Sequence, residues 1–322
     1  MTRKDRIRKV FDATGELMPD DKTYRRFALS FLNRLISLDI GKGDVSAFPE
    51  NVYGVPVEAF IIAKSPAIVA GLAETTMFLK EFYLTAETKF RNGDAISQGE
   101  KLLKIKGNVK DILAVERTIL NVLQRLSGIA TATKEYTERV AGTDCFVVTT
   151  RKTLWGMLDK SAVQHGGGFS HRLGLYDAAM LKENHLAALR NSGQPNAIRD
   201  SIQEIARRYP RLRFIEIEVR SENEFREIVN SFKSIETPMP KVIMFDHFQP
   251  AAIIPIVDEL DRQNLRDEIF LEASGNVTLE TISDYAKSGV DVISVGALTH
   301  SVKSADFSLL FSTDINPSKN AF

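Results

Sequence analysis

Positive charges that could bind an anionic ligand are concentrated between positions 151 and 182 of this chain. The tetrapeptide TRKT supplies Arg151 and Lys152, and the later stretch supplies His171, Arg172 and Lys182. Arginine presents a rigid fork of N–H donors that matches a carboxylate or a phosphate, whereas lysine acts as a point charge. Three consecutive glycines precede FSHR and would let the backbone approach a ligand closely. The pattern predicts a site for an anionic substrate, although a flexible loop and a surface or core histidine are the ordinary alternatives.

Carboxylates follow on the next two strand-like runs. In FIEIEV, Glu216 and Glu218 share one face of a predicted strand, because successive side chains of a strand alternate. Asp246 ends the next run, KVIMF. Two acids on one face repel unless a cation or a metal lies beside them, and Mg²⁺ prefers carboxylate and water oxygens. We predict that Glu218 and Asp246 hold Mg²⁺, and the alternative is ion pairing with Lys152 or Lys182.

Two late runs end in small residues that expose backbone amides. EASGNV leads into a helix predicted to start near Thr278, and SVGALTHS places a glycine at the end of the last run. Helix N-termini and glycine-exposed amides bind phosphate, and late-strand loops are the usual phosphate site of α/β barrels. The predicted phosphate-binding residues are Ser274, Gly275, Asn276 and Gly296.

The candidate site residues must be positioned by short β-rich runs. Amphipathic stretches such as Ser221 to Phe232 separate these runs. Strands that alternate with helices predict βα units and a parallel sheet. The residues at the strand ends favour a closed or nearly closed barrel, whose chemistry lies at the carboxyl ends of its strands. The runs are CFVVTT from Cys145, AAML from Ala178, FIEIEV from Phe214, KVIMF from Lys241, IFLEA from Ile269 and DVISV from Asp291.

The first part of the chain has a different order of predicted helices and strands, which indicates a small α+β domain. A helix is expected after Asp20-Asp21, and strands are expected from Val57, Ala67 and Leu102. A further helix is predicted to start at Asp111 and to end at Gly128, because glycine commonly terminates a helix.

Composition limits the classes of function. The 322 residues contain 42 lysines and arginines and 42 aspartates and glutamates, so no global field favours nucleic acid or an anionic membrane. The single cysteine, Cys145, excludes an internal disulfide and is typical of a reducing compartment. The N-terminus shows no signal peptide, and no apolar run is long enough for a membrane span. We therefore expect a cytoplasmic protein.

Taken together, these motifs resemble the quinolinate phosphoribosyltransferases, also called carboxylating nicotinate-nucleotide diphosphorylases. The resemblance runs from about Asp39 to about Leu310. The matching segments are DIGKGD, AIVAGL, ERTILNVLQRLSGIAT, TRKT, GGGFSHRLGLYDAAMLKENH, IEIEV, MFDHF, LEASGNV and SVGALTHS.

The resemblance implies an incomplete α/β barrel with an N-terminal α+β open-faced sandwich domain, in a homodimer or higher homo-oligomer with shared active sites. It implies domains at residues 1–115 and 116–302, with a tail at 303–322 that returns to the N-terminal domain. The implied reaction joins quinolinate to phosphoribosyl diphosphate with loss of carbon dioxide and gives nicotinate mononucleotide and diphosphate, in NAD biosynthesis.

The resemblance also implies roles for individual residues. Arg117 would reach the quinolinate of the neighbouring subunit, and Arg151, His171 and Arg172 would hold its two carboxylates. Lys152 and Lys182 would line the site beside the sugar diphosphate, Glu218 and Asp246 would serve the magnesium diphosphate, and the loops at Ser274-Gly275-Asn276 and Gly296 would take the 5-phosphate. These implied catalytic residues are Lys152, Lys182, Glu218 and Asp246.

Some positions depart from the family's usual pattern. Thr149 stands where many members have aspartate, Trp155 where proline is usual, His247 for asparagine and Glu183 for aspartate, and the segment after Gly156 is two residues short. The changes beside TRKT affect which aromatic acid we expect the protein to select as its substrate, unless Trp155 only fills the space left by the deletion. The alternatives are a phosphoribosyltransferase for nicotinate or another small heteroaromatic acid, and a non-catalytic sensor of phosphoribosyl diphosphate.

Overall fold

The computed structural model describes residues 1–46 and 54–312, and within them the chain forms two compact units. The parallel-sheet unit comprises residues 1–14, 135–154 and 168–301, and the antiparallel-sheet unit comprises 15–134, 155–167 and the residues from 302 on. Contacts thus divide the chain after residue 301, beside the boundary expected after 302, but not after 115, and the expected domain boundaries stay a prediction. Of the expected tail at 303–322, the residues after 312 lie outside the described part.

Strands and helices are numbered here in chain order. The strands are β1 Pro56–Ala63, β2 Ala67–Ile68, β3 Thr85–Glu87, β4 Ala95–Ile96, β5 Lys101–Asn108, β6 Phe146–Val148, β7 Ala179–Leu181, β8 Ile215–Val219, β9 Lys241–Asp246, β10 Ile269–Ser274, β11 Val292–Ser294 and β12 Phe307–Phe311. The helices are α1 Arg3–Phe11, α2 Lys22–Ile40, α3 Leu72–Lys80, α4 Val109–Arg139, α5 Met157–His165, α6 Glu183–Asn191, α7 Ala197–Arg208, α8 Glu222–Lys233, α9 Pro250–Arg262, α10 Ile282–Lys287 and α11 Ala297–His300.

Six parallel strands form the sheet of the first unit, in the order β6-β11-β10-β9-β8-β7. All six runs predicted from the sequence are present as these strands. Strands β8 to β10 are buried nearly throughout, which is usual for a parallel sheet covered on both faces. In the described residues no ladder joins the two edge strands β6 and β7, so the predicted α/β barrel is incomplete.

An antiparallel sheet with strand order β12-β1-β5-β3 forms the second unit. Along β1, Val57, Ala59, Ile61 and Ala63 are buried and alternate with more exposed residues, so one face of the strand packs into the core. Helix α2 begins where the sequence predicted it, because the Asp21 carboxylate accepts two backbone N–H groups of its first turn. The α+β character predicted for this part of the chain is confirmed.

Two predicted helix ends are wrong. Helix α4 does not end at Gly128 but continues to Arg139. A Cβ at Gly128 would lie 2.3 Å from the carbonyl oxygen of Lys303, so this glycine allows a close backbone approach instead of a helix stop. Helix α10 begins at Ile282 and not near Thr278, because Thr278 and Thr281 first form a hydrogen-bonded turn.

No helix in the described residues combines the length and the apolar character that a bilayer span requires.

Candidate active site

A cavity of about 770 Å³ opens at the carboxyl ends of the parallel strands, where barrel chemistry is expected. Its lining comes from the parallel-sheet unit alone. The structure brings together here all the predicted site residues except Arg117, which lies exposed on α4 in the other unit. The predicted residues in the lining are Arg151, Lys152, His171, Arg172, Lys182, Glu218, Asp246, Ser274, Gly275, Asn276 and Gly296.

A buried cluster of one histidine and two glutamates, the His171 cluster, adjoins this cavity. The Nε2 atom of His171 lies 2.8 Å from a carboxylate oxygen of Glu272 and 3.4 Å from one of Glu216. Both glutamates are fully buried, and His171 is 4% exposed. Burial alone would lower the pKa of His171, but the two carboxylates outweigh it and raise this pKa to about 9. The imidazole is therefore a cation at neutral pH.

The two glutamates differ in their preferred charge. Burial and the adjacent Glu272 carboxylate raise the pKa of Glu216 to about 7, whereas the His171 cation overcomes burial and lowers the pKa of Glu272. Glu272 is thus the anionic partner of His171, and Glu216 readily takes up a proton. The two carboxylates come from β8 and β10, which lie on either side of β9 in the sheet.

Two arginines add positive charge to the same cavity. Arg172 is 4% exposed, and its guanidinium donates to the carbonyl of Ala178 at 3.2 Å. Burial and the neighbouring Arg151 lower the pKa of Arg172, because two like charges lie close together in a shielded place. Neither the Arg151 guanidinium nor the Lys152 ammonium forms an ion pair within the described part of the chain. An anionic ligand would relieve this repulsion.

Carboxylates and cations alternate at the ends of β7, β8 and β9. The Lys182 ammonium lies 2.5 Å from the Glu218 carboxylate. Arg220 extends from the end of β8 to Asp246 at 3.2 Å and to Glu218 at 3.6 Å. Burial raises the pKa of Glu218, although Lys182 opposes that shift. The ion pair that the sequence left open as an alternative to metal binding is therefore present.

This group of acids also suits a hard cation. Glu218 and Asp246 stand at adjacent strand ends and both line the cavity, and Mg²⁺ typically takes one or two protein carboxylates together with water and substrate oxygens. Arg220 is half exposed and Lys182 is 41% exposed, so both could move aside when a cation with its diphosphate arrives. The residues present fit Mg²⁺.

Glycines shape the opposite end of the cavity. Gly275 has φ +97°, and a Cβ there would lie 2.7 Å from the ring of His247. A Cβ at Gly296 would lie 3.1 Å from Nε2 of His300 and 3.3 Å from the Lys152 side chain. The Gly275 position therefore requires glycine, whereas a Cβ at Gly296 would need only small shifts of the His300 and Lys152 side chains, and both glycines bring backbone close to basic side chains. The arrangement can accept a phosphate by backbone amides and nearby cations. Helix α11, with four residues, is too short to contribute a helix dipole.

Two of the residues that depart from the family pattern are Thr149 and Trp155, and the structure shows the surroundings of both. Thr149 is buried beside the cavity, and its hydroxyl has no hydrogen-bond partner among the described residues. Trp155 packs against Phe31 with ring centroids 5.4 Å apart, and the Arg125 guanidinium lies 5.2 Å from its ring. Both contacts lie within the antiparallel-sheet unit, so Trp155 acts there as a packing residue.

The sequence did not indicate four residues that line the cavity, namely Glu272, His300, Met180 and Met244, or Arg220, which contacts the cavity residues Glu218 and Asp246. Glu272 had a detectable signal, because it precedes Ser274 by two positions and so shares its strand face. Arg220 follows Glu218 by two positions and is the first residue after β8. The two methionines gave no signal, since an apolar residue in a strand usually indicates core.

Comparisons with known proteins agree on one family. Two family models match: "Quinolinate phosphoribosyl transferase, N-terminal domain" over residues 44–127 and "Quinolinate phosphoribosyl transferase, C-terminal domain" over residues 129–310. The chloroplastic carboxylating nicotinate-nucleotide pyrophosphorylase of Arabidopsis thaliana is 38% identical, over 85% of this chain and 79% of that protein. A probable enzyme of the same name from Bacillus subtilis is 36% identical, over 86% of this chain and 91% of that protein.

Solved structures give the same result. The nicotinate-nucleotide pyrophosphorylase of Francisella tularensis superposes with a TM-score of 0.77 at 29% identity, covering 89% of this chain and 96% of that one. The similarity therefore extends over both units and includes the strand ends that form the cavity.

Proposed function

This chain belongs to the quinolinate phosphoribosyltransferase family, and we propose that the cavity of its parallel-sheet unit is where it joins quinolinate to phosphoribosyl diphosphate. The chain is a phosphoribosyltransferase of NAD biosynthesis, and its reaction releases diphosphate and carbon dioxide and leaves nicotinate mononucleotide. The observation that carries the assignment of the site is the convergence of cations, carboxylates and glycine loops at one edge of a parallel sheet.

The cationic part of the cavity is the proposed quinolinate site. Quinolinate carries two adjacent carboxylates, and Arg151, Arg172 and the charged His171 supply three cations within one lining. A substrate with one carboxylate, such as nicotinate, would not need three cations. Arg117 is the proposed fourth contact, contributed by the partner subunit of a homodimer. Its exposure on α4 supports that proposal, since an exposed arginine is available to a second copy.

The other part of the cavity is the proposed site of phosphoribosyl diphosphate. Ser274, Gly275, Asn276 and Gly296 would hold the 5-phosphate, with His300 as an additional neighbour. Lys152 and Lys182 would face the diphosphate, and Glu218 and Asp246 would hold Mg²⁺. When bound, Mg²⁺ would neutralise part of the diphosphate charge and so favour its departure. Arg220 would then lose its carboxylate partners and become available to the same anion.

The chemistry follows from where charge develops. Departure of diphosphate leaves positive charge on the ribose C1, and Lys152 and Lys182 stabilise the leaving anion. The quinolinate nitrogen forms the new bond to C1 while the clamp on both carboxylates fixes its direction of attack. The bond to the carboxylate next to the quaternary nitrogen then breaks, its electron pair stays on the ring carbon, and a proton from solvent completes the product. The positive nitrogen stabilises this pair, so the protein need supply little acid–base catalysis.

A direct assay tests the proposal. The protein is incubated with quinolinate, phosphoribosyl diphosphate and Mg²⁺, and nicotinate mononucleotide and carbon dioxide are measured, with nicotinate in place of quinolinate in a parallel reaction. We expect product from quinolinate and no comparable product from nicotinate. Chelation of the metal should abolish turnover, and Asp246→Asn should raise the Mg²⁺ concentration needed for half-maximal rate. Product from nicotinate alone, or turnover that survives chelation, contradicts the corresponding part of the proposal.

Oligomeric state and location are the remaining proposals. A dimer should appear in sedimentation experiments, and Arg117→Ala should raise the quinolinate KM without changing the dimer. Mixing Arg117→Ala subunits with Arg172→Ala subunits should restore activity in the mixed dimers, because one of their two sites is then intact. If mixing does not restore activity, Arg117 is not part of the site. We further propose a cytoplasmic location, in agreement with the bacterial and archaeal relatives.

A further inference from the structure

Helix α1 packs against the amino ends of the parallel strands. Its apolar residues Ile7, Val10 and Phe11 are buried and form one cluster with strand residues. The strand partners lie just before β8 or at the first or second position of β9, β10 and β11. They are Phe214, Val242, Phe270 and Val292. This cluster fills the end of the sheet opposite to the cavity.

Polar contacts fix the same helix in place. The Arg3 guanidinium forms two hydrogen bonds to the Asp291 carboxylate, at 2.7 and 2.8 Å. Asp291 is 2% exposed and also accepts a hydrogen bond from the Arg266 guanidinium at 3.0 Å. Bidentate pairs with a buried carboxylate hold both groups in one geometry. The helix is thus anchored to the segment that leads into β11.

The carboxyl end of α1 touches the His171 cluster. The carbonyl of Phe11 accepts the backbone N–H of His171 at 3.0 Å, and the hydroxyl of Ser170 lies 3.3 Å from the same carbonyl. That hydroxyl also accepts the N–H of Ala13 at 3.0 Å. The Phe11 and His171 rings have centroids 5.6 Å apart.

The backbone of His171 needs such support. Its φ is +53°, in the left-handed region, which is costly for a residue other than glycine and persists where the surroundings enforce it. The Phe11 carbonyl holds the peptide, and the rings of Phe11 and Phe214 lie on the imidazole at 5.6 and 5.1 Å. These contacts involve the backbone and the ring as a whole, whereas the two glutamates contact the Nε2 atom.

We infer that α1 is a structural part of the substrate site, in which Phe11 is a positioning residue that holds the backbone and the ring of His171. The inference rests on the proposed role of His171 in quinolinate binding. The matching family models begin at residue 44, so the helix lies outside the segments they describe. Phe11 sets the affinity for the ring carboxylates without touching the substrate.

The test compares two identical substitutions in the one cluster, made in the full chain. Phe11→Leu removes the ring that contacts His171, whereas Phe270→Leu removes a ring that packs on Phe11 at 6.4 Å, and no ring contact joins Phe270 to His171. We expect Phe11→Leu to raise the quinolinate KM about tenfold, the equivalent of about 1.4 kcal/mol. The KM for phosphoribosyl diphosphate and kcat should stay within about twofold, as expected when one substrate loses a uniform binding contact. Phe270→Leu should lower Tm with both KM values unchanged.

A second variant and a readout independent of turnover complete the design. Ser170→Ala removes the hydroxyl between Ala13 and Phe11 and should also raise the quinolinate KM selectively. The NMR signals of the His171 ring should shift in Phe11→Leu and not in Phe270→Leu. Equal kinetics and equal ring signals in the two leucine variants would overturn the inference. A wild-type protein that makes no nicotinate mononucleotide would overturn the proposed function instead, and the ring signals would still decide the role of Phe11.

Discussion

Glu272→Gln isolates the charge that keeps His171 protonated. The Glu272 carboxylate lies 2.8 Å from Nε2 of His171, and both groups are buried. The pKa of His171 rises from the ordinary 6.5 to about 9, and a shift of this size corresponds to about 3 kcal/mol in favour of the charged ring, at about 1.4 kcal/mol per unit. Glutamine keeps the size and a hydrogen-bonding oxygen but removes the negative charge. Of the two carboxylates that raise the pKa of His171, only Glu216 then remains, and we expect this pKa to be lower in the variant than in the wild type.

The sign of the pH dependence follows from this shift. Because the folded pKa is raised, the His171 ion pair stabilises the protein fully below pH 6.5 and is lost as the pH rises through about 9. In the variant the ring loses its proton at a lower pH than in the wild type. The quinolinate KM of the variant should therefore be near the wild-type value at pH 6 and should exceed it increasingly as the pH rises to 8, because fewer of the rings are then charged.

Two measurements check this expectation. The quinolinate KM is measured from pH 6 to 8.5 for both proteins, and the ring titration is followed by NMR, which is practicable because the chain has five histidines. Glu222→Gln, on the surface of α8, serves as the control. A KM that rises by the same factor at every pH, or a His171 ring that still titrates near pH 9 in the variant, refutes the reasoning.

Three further substitutions test separate parts of the site and of the fold. Arg172→Ala should raise the quinolinate KM by at least about a hundredfold with Tm nearly unchanged, because it removes a buried cation from the clamp; near-normal kinetics would argue against the substrate assignment. Gly275→Ala should raise the KM for phosphoribosyl diphosphate about tenfold and leave the quinolinate KM unchanged, since φ +97° and the His247 ring leave no place for a Cβ; an unchanged value would remove this loop from the phosphate site. Asp159→Asn should destabilise the antiparallel-sheet unit by about 3 kcal/mol in urea unfolding, because it leaves Arg125 without its fully buried partner; equal unfolding midpoints would show that the pair contributes nothing.

Much of the site was predictable because its residues follow strands. Arg151, Lys182 and Asp246 each come directly after a short β-rich run, Glu218 is the second-last residue of another, and parallel strands bring their carboxyl ends to one edge of the sheet. Strand alternation also placed Glu216 and Glu218 on one face. The sequence left open whether Glu218 binds a metal or pairs with Lys152 or Lys182, and it did not indicate that Glu216 lies beside His171. Which cation meets which acid depends on distances across the sheet.

Helix ends show a similar limit. The start of α2 was predictable because the capping contacts of Asp21 are local in sequence. Gly128 was misjudged as a helix stop, because its use depends on Lys303, which lies far along the chain and passes close to α4. A glycine selected for close approach and a glycine selected for a turn look the same in sequence.

The class of chemistry of this protein can be inferred from local features of its sequence. The cations, the paired acids and the glycine loops, taken in chain order with their resemblance to one family, specify phosphoribosyl transfer to an anionic ring, since residue type and strand-end position are both local properties. The state of His171, in contrast, depends on the tertiary structure. Its charge depends on Glu272, 101 positions away, and its backbone N–H donates to the carbonyl of Phe11 in α1. Both effects arise from burial and distance, which exist only after distant segments of the chain have packed together.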